Sequence, residues 1–65
     1  MIVNYTFTSN EGIKLCAEFE FNNAPTLKEA MDEAYFVFAH IPHFEMSGTL
    51  EFHLNGIKVI CPYAI

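Results

Sequence analysis

Apolar and polar residues alternate along the first third of the chain. Val3, Tyr5 and Phe7 share one side and Asn4, Thr6 and Thr8 the other, the two-residue period of a half-buried strand. A second alternation over 13–21 sets Ile13, Leu15, Ala17, Phe19 and Phe21 against Lys14, Cys16, Glu18 and Glu20. Between them, Ser9-Asn10-Glu11-Gly12 is turn chemistry. Gly12 can take the left-handed conformation that ends a three-residue hairpin loop. Such a loop sets Phe7 opposite Leu15, Tyr5 opposite Ala17 and Val3 opposite Phe19. A slip by one residue would oppose apolar to polar, so this register is predicted.

At position 26 the period changes. Asn22-Asn23-Ala24-Pro25 breaks the strand, and residues 26–40 predict a helix. Thr26 and Glu29 fit a capping box, and the acids Glu29, Asp32 and Glu33 suit the positive end of the helix dipole. Pro42 disfavours helical geometry in the residue before it, so the helix should stop near His40 or Ile41. On a helical wheel Leu27, Ala30, Met31, Ala34 and Phe38 form the core stripe, flanked by Tyr35 and Val37. Lys28, Glu29, Asp32, Glu33 and His40 lie opposite. Phe36 falls in the middle of that polar face, where a purely structural helix would carry a polar residue.

Alternation returns at 49–54, with Leu50, Phe52 and Leu54 on one face and Thr49, Glu51 and His53 on the other. Asn55-Gly56 is a strong signal for a type I′ two-residue hairpin turn. It pairs Leu54 with Ile57, Phe52 with Val59 and Leu50 with Cys61, leaving His53 opposite Lys58 and Glu51 opposite Ile60. Pro62 ends the pairing or confines it to an edge. All three glycines are expected in turns. The predicted architecture is α+β: β-β-α-β-β, two antiparallel hairpins in one four-stranded sheet with a single helix packed on one face. The order of the strands stays open, because the connection through the helix can place the second hairpin on either side of the first.

Sixty-five residues are expected to make a single domain, close to the lower size limit for a self-sufficient core. A composition that is 52% hydrophobic, with seven Phe and three Tyr, offers the apolar area such a chain needs. No stretch is apolar enough for a membrane span, and no basic segment precedes an apolar run at the start. A cytoplasmic location is the expectation. Cys16 and Cys61 fall short of a disulfide framework.

Three basic against eight acidic residues give a net charge of −5. That disfavours direct nucleic-acid binding, which uses a basic stripe, and it suits contact with a basic protein surface. It also serves plain solubility. The aromatics Tyr5 and Phe7 fall on the core side, so the outer sheet face lacks the stacking platform of an RNA-binding sheet.

Three constellations carry candidate chemistry. The first is Phe36 among Glu29, Asp32 and Glu33, an aromatic anchor with a polar rim of the kind that centres protein contacts. The second is the outer sheet face, where Glu18 and Glu20 share a strand side and Glu51 can join them beside Ile2, Cys16 and Ile60. The third is His40, His43 and Cys61 as metal ligands. Against it, Pro42 separates the histidines, Cys61 points toward the core, and a fourth ligand is missing. Catalysis is not expected. A Cys16–His53 pair lacks an orienting third group and a pocket, and solvated carboxylates have no cause for raised pKa values.

The stretch Thr26-Leu27-Lys28-Glu29-Ala30-Met31-Asp32-Glu33-Ala34 is similar to the capped helix of HicB-type antitoxins over about nine residues. The strands before it depart from that family's longer meander, and its glycine-rich loop is absent. In size and acidity the chain also looks like the small inhibitors that phages encode. The expected function is a non-enzymatic protein-binding module: an inhibitor, an antitoxin-like protein or an adaptor, with homodimer contact included and no cofactor. The alternatives are an acidic decoy that mimics nucleic acid on a partner enzyme, and a small metal-binding protein.

Overall fold

The computed structural model describes residues 1–39 and 47–64. Strands β1 (Ile2–Ser9) and β2 (Lys14–Glu20) form the first hairpin, α1 (Leu27–Ala39) follows, and β3 (Ser47–Leu54) and β4 (Ile57–Ala64) form the second. The four strands make one antiparallel sheet in the order β2-β1-β3-β4. The second hairpin therefore docks on the open side of β1. It pairs Tyr5 with Phe52 and Phe7 with Leu50, and leaves β2 and β4 as the two edges.

Both hairpin registers are those the alternation predicts. Val3 pairs with Phe19, Tyr5 with Ala17 and Phe7 with Leu15. Leu54 pairs with Ile57, Phe52 with Val59 and Leu50 with Cys61. Gly12 has φ 90°, and Ser9 closes the first turn by accepting the Glu11 and Ile13 amides at its Oγ, 3.2 and 3.0 Å away. Asn55 and Gly56 have φ of 51° and 79°, both positive as a type I′ turn requires. The capping box forms in both directions. The Thr26 amide donates to Glu29 Oε1 at 3.0 Å, and the Glu29 amide donates to Thr26 Oγ1 at 3.2 Å.

The core lies between the helix and one sheet face. Ala30, Ala34 and Phe38 of α1 meet Val3, Tyr5, Phe7, Leu50, Phe52, Leu54 and Tyr63. Two phenols fix the helix's rotation over the sheet. Tyr5 donates to the Ala30 carbonyl at 2.7 Å and Tyr63 to the Ala34 carbonyl at 3.1 Å. A buried hydroxyl without a partner would cost about 1–3 kcal/mol, so these bonds select one helix position over its neighbours. Burial pushes both phenols up to about 12, with Glu33 adding to the shift at Tyr5 and Tyr35 at Tyr63.

The helix does not sit centrally. Met31 Sδ lies 3.7 Å from Cys61 Sγ, and the Tyr35 ring is 4.3 Å from the Tyr63 ring, both contacts with β4. No residue of β2 is fully buried, and its inner row of Leu15, Ala17 and Phe19 is only half-covered. The sheet is fully roofed over β1 and β3. Both edge strands have half-covered inner rows, except that β4 buries Tyr63 under the helix.

Several expectations need correction. Leu27 was placed in the core stripe but is 52% exposed, and Ile57, paired with Leu54, is 67% exposed. Both belong to element ends that project past the opposing layer, so the inward-facing period has nothing to bury them against. Ile13 is likewise exposed, because β2 begins one residue later, and Phe21 lies just beyond its end. Tyr35 packs on Tyr63 yet stays exposed, while Glu33 of the outer helix face is half-buried. Gly48 is in β3, paired with Ser9 and Tyr63, not in a turn. A methyl there would overlap the Thr8 carbonyl and approach the Ser9 Cα to 2.7 Å, so the β1–β3 contact is close-packed at this point. Pro62 agrees with the second of its two expected outcomes: β4 continues through it to Ala64 as an edge strand.

Candidate protein-binding surface

The helix positions Phe36 because α1 buries Ala30, Ala34 and Phe38, whose spacing turns position 36 outward. Phe36 is 61% exposed. Its acidic neighbours are not equivalent. Glu29 is engaged in the cap, where the Thr26 backbone amide and then its hydroxyl hold the carboxyl below the usual carboxylate range. Asp32 accepts from Lys28 Nζ at 2.9 Å, one turn away on the same face, and this bond raises the lysine. Glu33 leans toward the core side near Tyr5. The rim around Phe36 is therefore polar and partly neutralised, not a block of unpaired charge.

Glu18, Glu20 and Glu51 lie on the opposite side of the molecule, on the sheet face turned away from the helix. β1 separates the strands that carry them: Glu51 pairs with Thr6, which pairs with Cys16, and Glu18 pairs with Asn4. Lys58 donates to Glu51 at 2.6 Å and holds its carboxyl below the usual range. Glu18 and Glu20 make no ion pair among the described residues. The seven candidate contact residues thus split between two opposite faces. A shallow depression of about 420 Å³ on the outer sheet face is bounded by Asn4, Thr6, Cys16 and Glu18. It is too open to exclude water from a reacting group.

Of the metal candidates, His40 and His43 lie outside the described residues. Cys61 is turned under the helix toward Met31, and burial pushes its thiol up, away from the thiolate a metal takes. Among the described residues no group of three or more His, Cys, Asp or Glu is arranged to hold a metal ion. No helix among them is long and apolar enough to cross a membrane.

Two features escaped the sequence reading. Leu27 and Ile57 flank an apolar groove of about 300 Å³ at the Asn55-Gly56 end, with Pro25, Leu54 and Val59 along its walls. The other feature is the free edge of β2. Met1 and Phe21 exchange both backbone bonds, at 2.7 and 2.8 Å, and Ser9 and Ile13 are bonded at 2.8 Å. Hydrogen-bonded pairs alternate in an antiparallel ladder, so the odd residues of β2 bond to β1. The amides and carbonyls of Lys14, Cys16, Glu18 and Glu20 point outward. The parity was readable, but that β2 is an edge was not.

Comparison with protein families, with curated proteins and with solved structures returns no match.

Proposed function

We propose that this chain is a small non-enzymatic protein-binding module whose contact is centred on Phe36. The observation that carries the reading is the 61% exposure of a phenylalanine on the outer face of a helix whose opposite face already closes the core. An aromatic this exposed offers a large desolvation gain to a partner. Asp32 and Lys28 form the adjoining rim. The open character of the surface depressions supports binding over catalysis. An inhibitor or adaptor role, with a second protein as ligand, fits this kind of surface.

The test is Phe36→Ala. Affinity capture from the native cell with the wild-type chain should retain a partner that the variant loses by tenfold or more. The variant's thermal midpoint should stay close to the wild-type value. Equal capture by both chains would sink the reading. The interaction should tolerate salt, since its centre is apolar. A partner released steeply by salt and displaced by DNA would point to an acidic decoy instead.

A further inference from the structure

We propose that β2 is a self-association strand, through which two copies of this chain pair antiparallel about a two-fold axis to form one continuous eight-stranded sheet.

The two edges of the sheet are built differently. A two-residue hairpin brackets its turn with a hydrogen-bonded pair, here Leu54 and Ile57, so Lys58, Ile60, Pro62 and Ala64 face outward on β4. Pro62 has no N–H to offer there, and its ring blocks a further strand. Its place in the strand costs no ladder bond, because the missing donor faces away from β3. β2 has no proline, no bulge and no described element over its edge. The outward amides and carbonyls of Lys14, Cys16, Glu18 and Glu20 form an unprotected template of the kind that monomeric proteins guard against.

The side chains of β2 say what fits the template. β2 runs from Lys14 to Glu20, with Ala17 at its centre. Outward-facing residues must pair with outward-facing residues, so a second copy pairs even with even. The register that uses the whole strand sets Lys14 opposite Glu20 of the second copy and Cys16 opposite its Glu18. Ala17 then meets its own symmetry mate at the axis. Lys28 and Lys58 are committed to Asp32 and Glu51, while Lys14 has no ion-pair partner among the described residues, and neither has Glu20. The strand thus carries at its start a cation that reaches Glu51 only through its field, and at its end a carboxylate, neither of them in an ion pair among the described residues. An antiparallel copy satisfies both, twice over.

The inner face agrees. The same register places Leu15 beside Phe19 of the second copy, on the half-covered side that the off-centre helix leaves open. Small Ala17 at the axis lets the two apolar rows close across the junction. Because inner residues pair with inner residues, both helices lie on the same side of the joined sheet. Two Phe36 faces are then presented in one direction, and a partner with two matching sites would gain by avidity. The dimer itself uses none of the residues of the Phe36 contact and stands without it.

Sedimentation equilibrium of the wild-type chain, over a series from micromolar to millimolar, should show twice the 7.4 kDa chain mass. Lys14→Glu and Glu20→Lys should each weaken dimerisation about tenfold or more, by setting like charges opposite each other. The double swap K14E/E20K should restore it, since the pairs re-form with reversed sign. Circular dichroism checks that each variant keeps its fold, and both substituted positions are exposed. Phe36→Ala should leave the dimer intact while losing the captured partner, so the two readings fail separately. A wild-type chain that stays monomeric at millimolar concentration overturns the proposal. So do single substitutions without effect, a swap that fails to restore the dimer, or a dimer abolished by Phe36→Ala.

Discussion

The edges of this sheet end in strands of similar length and pairing, yet only one is closed. β4 lies under Met31 and Tyr35 of the helix, carries Pro62 on its outward side, and ties its Lys58 to Glu51. β2 has outward amides, no buried inner residue, and a Lys14 in no ion pair among the described residues. The difference comes from where the helix rests. Tyr63 bonds to the helix from β4 and Tyr5 from β1, and no residue of β2 makes such a bond. A single helix cannot cover four strands fully: both edges keep half-covered inner residues, and β4 differs from β2 by the buried, tethered Tyr63 and by its outward proline.

Alkaline pH should break the closed side most strongly. Tyr5 and Tyr63 remain protonated in the folded chain up to about 12, against an ordinary value of 10.0. Between those limits the unfolded chain loses protons that the folded chain keeps. Stability is therefore fully present below about pH 10, declines above it and levels off near pH 12. Each tyrosine removes about 1.4 kcal/mol per pH unit in that window. Urea unfolding across the range checks this, and Tyr63→Phe should roughly halve the slope. A stability that is flat from pH 9 to about 12 would show that the phenols are not held as described.

Truncation should sharpen the same contrast. Tyr63→Ala opens a cavity under the helix and removes the bond to Ala34, at a cost of about 3–5 kcal/mol. Phe19→Ala on the inner face of β2 should cost less, about 1–2 kcal/mol, because its ring is only half-covered before truncation. Equal shifts in the urea midpoint would mean that the helix roofs both edges alike. The smallest effect belongs to Pro62→Ala. It restores an outward N–H without touching the β3 ladder, and should lower stability by about 0.4–1 kcal/mol through the freer unfolded chain. Hydrogen exchange of β4 should stay slow, and self-association should rise. Loss of β4 protection would show that the proline does more than guard the edge.

Much of this was readable before any coordinates. The parity of Val3, Tyr5 and Phe7 against Leu15, Ala17 and Phe19 gives the first hairpin, and Asn55-Gly56 gives the second. The capping box and the exposure of Phe36 follow from helical spacing. Leu27 and Ile57 were misjudged for one reason. A periodic pattern says which way a side chain points, but not whether a layer extends that far. Gly48 is expected in a turn because glycine is a local turn signal. Its actual constraint is the Thr8 carbonyl, forty positions away along the chain.

By itself, then, the sequence determined the elements, both hairpin registers and the two faces of the helix, since each depends on residues within a few positions of one another. Only the tertiary structure decided that β1 pairs with β3, that the helix leans toward β4, and that β2 is left as the open edge. Those outcomes depend on contacts between residues far apart in the chain, such as Tyr5 with Phe52 and Tyr63 with Ala34. Their energies come from packing and buried hydrogen bonds that no local pattern of apolar and polar residues encodes.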